Sequence, residues 1–201
     1  MVRYIKLEKE TPILFLLFFG MALFAFPHFL SSLMVGPRDR LMARFGEGTF
    51  KGFYSAVTGI GFLMMVVAYF ITRGTGEMLY APAGNMKHAT MGLATLGLIL
   101  ISAQGKTHIR LWLQNPFSIG IALWAIGHLL SIGQFAADWF WITMLAVSLV
   151  DIAVSMARGK KPEFQPEWRA DIIAVVAGLI VTALLVLLFH PYVLGVNVLG
   201  G

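Results

Sequence analysis

The sequence predicts an all-α fold: a polytopic membrane helix bundle of about six transmembrane helices, with a short interfacial helix after the first. Three observations predict it. Of 201 residues, 58% are hydrophobic and 12% charged, and the mean hydropathy of +0.80 lies well above that of a soluble domain. The apolar residues gather into runs close to the roughly 20 residues that a helix needs to cross the hydrocarbon core. The basic residues, which leave a net charge of +5, sit between those runs, where they read as topology signals and contacts to lipid phosphate rather than as a nucleic-acid surface. The expected partner is therefore a lipid bilayer and not nucleic acid, and residues 1–201 are expected to form a single transmembrane domain.

The first span is expected over residues 12–35. It follows a basic "MVRYIK", as a secretory signal would, but the apolar run continues to Val35 with no convincing small-x-small cleavage site, so it reads as a retained helix. The connection "GPRDRLMARFGEGTFKG" at 36–52 carries helix signals of its own. Pro37 suits a first helical position, Leu41 and Phe45 align one turn apart, and Gly46 can end the turn. Arg38, Arg40 and Arg44 would then face lipid phosphates or a bound anion. The remaining spans are expected at 53–72, 88–104, 116–133, 137–157 and 170–190. The third is the most dilute, because Thr, Gly and Ser interrupt it. Gly59 and Gly61, Gly92 and Gly97, and Gly120 and Gly127 suit close helix contacts in lipid.

Orientation follows from the basic residues. The first, third and fifth connections hold ten of the 15 (Arg38, Arg40, Arg44, Lys51, Lys106, Arg110, Arg158, Lys160, Lys161 and Arg169), and the opposite side holds Arg3, Lys6, Lys9, Arg73 and Lys87. Cytoplasmic loops are enriched in Lys and Arg, which places both termini on the non-cytoplasmic side. If the third span failed, everything after it would invert. Six spans without cysteine fit a bacterial inner membrane.

The chain has no cysteine, which excludes disulfides, zinc-thiolate sites, thiolate haem ligation and cysteine-held iron-sulfur clusters. Any metal must be held by His, Met or carboxylate. No phosphate-binding glycine loop, nucleophile elbow or HExxH occurs, so nucleotide-dependent and hydrolytic functions have no support. Of the five histidines, His28 and His128 fall inside spans, where an imidazole costs solvation and needs a partner. Each has an aromatic residue one turn before it, Phe24 and Trp124, which suits a flat cofactor and equally suits ordinary packing. Two readings stand for the pair. Each ring is a neutral imidazole hydrogen-bonded to a neighbouring helix, or the two ligate a b-type haem, whose iron takes axial nitrogens between apolar walls. His88, His108 and His190 lie near helix ends and are weaker candidates.

Asp151 in "LVDIAVS" is the other costly residue. It either orients His28 through a hydrogen bond or pairs with Arg40, Arg44 or Arg158 near the headgroups.

The run "HFLSSLMVGPRDRLMARFGEGTFKGFYSAVTGIGF", followed by "LYAP", "KHATMGLATLGLIL", "THIRLWLQNPF", "LWAIGHLLSIG" and "HPYVLG", resembles the NnrU family of membrane proteins, which also includes the plant 15-cis-zeta-carotene isomerase. The resemblance implies an association with denitrification, or isomerase-like chemistry at haem b. It also implies that His28 and His128 are the axial ligands; on the spacing read above, Trp124 would then lie beside the cofactor and Asp151 would orient a ligating ring. Where this family commonly has a His-Pro pair, the chain has Asn115 and Pro116. On the expected boundaries His28 and His128 lie on opposite sides of the midplane, about 13 Å apart along the normal, so a shared haem calls for a kink. Pro27 removes the hydrogen bond to the Leu23 carbonyl and can supply one.

Three functions follow as expectations. The first is a haem-b membrane protein with an isomerase-like or nitrogen-oxide-linked redox role, taking a hydrophobic or small gaseous ligand. The second is a non-catalytic accessory or regulatory protein for membrane enzymes of nitrogen-oxide respiration. The third is a small-molecule transporter, which broken helices near the midplane would favour.

Overall fold

A computed structural model describes residues 2–73, 77–84, 86–159 and 161–199, without side chains for 2–10. Lys160 and the side chains of Arg3, Lys6 and Lys9, used above for orientation, lie outside the described residues. The described residues are helical: α1 (Val2–Leu33), α2 (Val35–Phe45), α3 (Glu47–Thr72), α4 (Met86–Ser102), α5 (His108–Leu113), α6 (Pro116–Leu129), α7 (Phe135–Arg158) and α8 (Trp168–Leu184), the last continuing as a π-helix over Leu185–Leu194. Met78 and Gln134 form an isolated bridge.

Four segments are long and apolar enough to cross a membrane: Thr11–Leu33, Glu47–Thr72, Phe135–Arg158 and Trp168–Leu194. The third and fourth expected spans are shorter helices. α4 has 17 residues and α6 has 14. At 1.5 Å per residue α6 is about 21 Å long, against a hydrocarbon core of roughly 30 Å. Its ends are set locally. Asn115 caps it by accepting a hydrogen bond from the Ser118 N–H at 3.2 Å, and buried Pro116 occupies the first helical position. Before the cap, Gln114 turns the chain at a φ of 62°.

The chain divides into two units, residues 1–81 with 133–143, and 82–132 with 144–201. In the first unit α1 packs along α3, and α2 touches both. The α1–α3 contact is backbone to backbone. A Cβ on Gly61 would come within 2.5 Å of the Phe24 nitrogen, and one on Gly20 within 2.8 Å of the Met64 Cβ, so only glycine permits the approach. Leu17, Met65, Ala68 and Ala136 form the buried core there. α1 continues through Pro27, and α2 ends at Gly46, whose positive φ of 84° glycine adopts at little steric cost.

In the second unit α4 packs against α6 and α8. Gly97 and Gly120 face each other so closely that a Cβ on either would lie 2.5 Å from the other's carbonyl oxygen. Gly178 on α8 meets the backbone of Ile99 at 2.5 Å in the same sense. Of the glycines expected at contacts, Gly61, Gly97, Gly120 and Gly127 are there, whereas Gly59 and Gly92 face open space. Gly20 and Gly178 are contact glycines that spacing did not single out.

Candidate functional site

In the first unit His28 lies half-buried on α1. Its Nδ1 shares a 2.8 Å hydrogen bond with the Tyr54 hydroxyl on α3, and the Phe24 ring sits one turn away at 4.8 Å between centroids. This is the helix-to-helix hydrogen bond expected of an imidazole in an apolar bundle. Asp151 lies half-buried on α7 and belongs to the second unit.

The second unit holds two histidine arrangements. On α6, His128 Nδ1 donates to the carbonyl of Trp124 at 2.8 Å, and the Trp124 ring meets the imidazole edge-on at 5.9 Å and 76°. The hydrogen bond places the proton on Nδ1 and the lone pair on Nε2, the orientation that a backbone acceptor imposes on ligating histidines. One residue earlier the Gly127 carbonyl accepts from Thr90 Oγ1 at 2.7 Å. A Cβ on Gly127 would approach the Thr90 carbonyl to 3.1 Å, so α4 sits hard against the turn that presents His128. Facing it is His190, with ring centroids 6.4 Å apart and planes within 26°. His190 Nδ1 donates to the Leu185 carbonyl at 2.7 Å, five residues back within the π-helix.

The other arrangement centres on His108, at the start of α5. Asp171, 8% exposed on α8, accepts from His108 Nδ1 at 2.6 Å and from the His108 and Ile109 N–H groups at 3.2 and 3.3 Å. Trp168 stacks on the ring at 4.1 Å, and Thr107 caps α5 by accepting from the Arg110 N–H. The Glu167 N–H adds a bond to the Lys106 carbonyl. The imidazole is thus fastened to a carboxylate and an indole of its own chain.

One further buried group stands apart. Asp138, in the first turn of α7, is 1% exposed with neither carboxylate oxygen hydrogen-bonded, near the Gly133 N–H but outside bonding geometry. Spacing had not singled it out, nor had it paired His190 with His128.

The NnrU protein family model matches residues 16–198. The chain belongs to the NnrU family. The match runs through both units and includes every histidine, so the His128 and His108 arrangements both lie within the family region of this NnrU protein. No curated protein and no solved structure matches the chain. This NnrU chain has Asn115 as a helix cap at the position of the histidine that the resemblance leads one to expect, and Asn is among the residue types best suited to that task.

The donor set bears on what the His128 site can hold. Among the described residues no three His, Asp or Glu side chains converge as a metal site. A bare tetrahedral ion needs four ligands, whereas a porphyrin brings four nitrogens of its own and asks the protein only for axial groups and apolar walls. An oriented imidazole beside an indole, in a helix as apolar as α6, fits that second requirement.

Proposed function

We propose that this NnrU protein is a multi-pass protein of the bacterial inner membrane, with both termini non-cytoplasmic, in which His128 would hold haem b. The observation that supports this reading most is the hydrogen bond from His128 Nδ1 to the Trp124 carbonyl, which fixes the ring in the tautomer that carries its lone pair on Nε2. Trp124 lines the site as an aromatic wall. His28 enters as the second ligand on the resemblance alone, and Asp151 as a carboxylate able to orient a ligating ring. Haem held there would supply one-electron chemistry and an iron able to take a small gaseous or polyene ligand. The chain's own part is to hold the His128 ring in one tautomer, to exclude water with the α6 apolar face, and to position the ring through the α4–α6 contact.

An isomerase-like or nitrogen-oxide-linked redox role follows from the resemblance. The accessory role differs in its readout: co-purifying subunits with no cofactor absorbance. The transporter reading draws least support, because α1, where Pro27 hinted at a break, is continuous. An absorption spectrum of detergent-purified full chain, before and after haem reconstitution, tests the proposal. A Soret band in the wild type that His128→Ala abolishes is the expected result, and a wild type with no Soret band after reconstitution would sink it.

A further inference from the structure

We infer that Asp138 is a proton-binding site, a carboxyl that the first unit holds in its neutral, protonated form. It stands in the first turn of α7, within the segment Phe135–Arg158 that is long and apolar enough to cross a membrane. The side chain is 1% exposed, and neither of its oxygens has a hydrogen-bond partner. A carboxylate taken out of water with neither donors nor a cation bears the full loss of its solvation, and it sheds that cost by taking a proton. In a membrane helix such a group is a mark of proton or ion handling.

The surroundings supply burial without a counter-charge. Leu79 N–H donates to the Gly133 carbonyl at 2.7 Å, Phe135 N–H donates to the Glu77 carbonyl at 2.9 Å, and the Gln134 side chain donates to the Thr72 carbonyl at 2.8 Å. These bonds lace residues 77–79 and the end of α3 to the start of α7. From α1, the Phe18 ring packs edge-on against Phe135 and Trp139, and residues 11–27 hold no ionisable side chain. At the end of α3, Arg73 is exposed, lies over the Phe70 ring at 4.8 Å and acts on Tyr69. Glu77 is exposed and has the same sign as a carboxylate. The buried Trp139 indole N–H makes no bond to Asp138. Tyr80 is the titratable neighbour that feels it: partial burial first, and then the Asp138 carboxyl, push the phenol above its ordinary range.

The ligand that suits this place is a proton and not a metal ion. A hard metal ion asks for several oxygens at once, whereas among the described residues no three His, Asp or Glu side chains converge. A proton asks for one oxygen, and the protonated carboxyl then carries a donor of its own. The first-turn position favours the anion through the helix dipole. That effect is smaller than the cost of stripping water from a carboxylate, and the Phe135 N–H is already taken by Glu77.

Infrared difference spectra of full-length protein in detergent, with and without isotope label in the aspartate side-chain carboxyls, test this at neutral pH. The wild type is expected to show the C=O stretch of a protonated aspartic acid, moved by the label. Asp138→Asn, of the same shape and uncharged, should lose that band, and Asp151→Asn should keep it. The chain has four aspartates, of which Asp39 is exposed beside Arg38 and Asp171 accepts three hydrogen bonds. A wild type with carboxylate bands only overturns the assignment without any substitution, and so does a protonated band that persists in Asp138→Asn. Should Asp138→Asn fail to fold, retention of the band in Asp151→Asn upholds the assignment and its loss there overturns it. No cofactor is involved, so the outcome is independent of haem at His128.

Discussion

His108 and His128 sit in one unit, and each holds its Nδ1 on an oxygen, at 2.6 and 2.8 Å. The oxygens differ. His108 meets the carboxylate of Asp171, which also accepts two backbone N–H groups from the start of α5, and its face is covered by Trp168. His128 meets a peptide carbonyl and has a second imidazole before it. The first arrangement closes on itself: every group is engaged in joining α5 to α8, and the pair is an ion pair whenever the ring is protonated. The second joins α6 to the π-helix through two imidazoles, each anchored on a carbonyl of its own helix. A histidine's chemistry is therefore set less by its depth in the bundle than by which acceptor takes its Nδ1 proton.

Four substitutions would break or sharpen that contrast. Gly97→Leu has the largest expected effect, because a side chain cannot fit 2.5 Å from the Gly120 carbonyl. Overpacking of this kind should lower stability by about 3 kcal/mol and abolish haem retention, as read by unfolding in mixed detergent and by the Soret band. Asp171→Ala should cost about 2 kcal/mol, since it strips a carboxylate from three donors, yet leave the haem spectrum as in the wild type. A spectral change there would mean that the two arrangements are one functional site. Trp168→Ala removes only the stacking partner and should cost about 1 kcal/mol, again with an unchanged spectrum. Smallest is Thr90→Val, which loses one interhelical hydrogen bond worth about 0.6 kcal/mol in a membrane. If His128 holds haem, the expected signature is a broadened Soret band from a less firmly held ring, with thermal stability almost unchanged.

Much of the fold was legible because its signals are local. Pro37 and Gly46 mark α2, and the long apolar runs mark α1, α3, α7 and α8. α6 was expected to be longer because apolar content was counted through residues that prove to lie beyond its end, such as Ser131 and Ile132, whereas α4 has its expected 17 residues, shifted by two. Glycine positions were only partly informative: Gly59 and Gly61 are two residues apart and so point in different directions on α3, and only the second faces α1. Of the candidate site, His128 and Trp124 could be read from one helix face. The His128–His190 and His108–Asp171 pairs could not, because each joins residues more than sixty positions apart in sequence and helical periodicity reports only the near neighbours. Asp138 escaped notice because an acidic residue in a helix's first turn is ordinary, and only its burial makes it unusual.

The π-helix has a consequence for how this chain can vary by length. A widened turn can be viewed as an α-helix that has absorbed an inserted residue, so the side chains beyond it are rotated about the axis relative to those before. Removing Leu187 would let the segment relax toward ordinary α winding and swing His190 and all that follows to a new azimuth, with the composition and hydropathy of the span scarcely altered. A one-codon deletion here is thus a sharper perturbation than most substitutions, and it acts by turning a helix rather than by changing its chemistry.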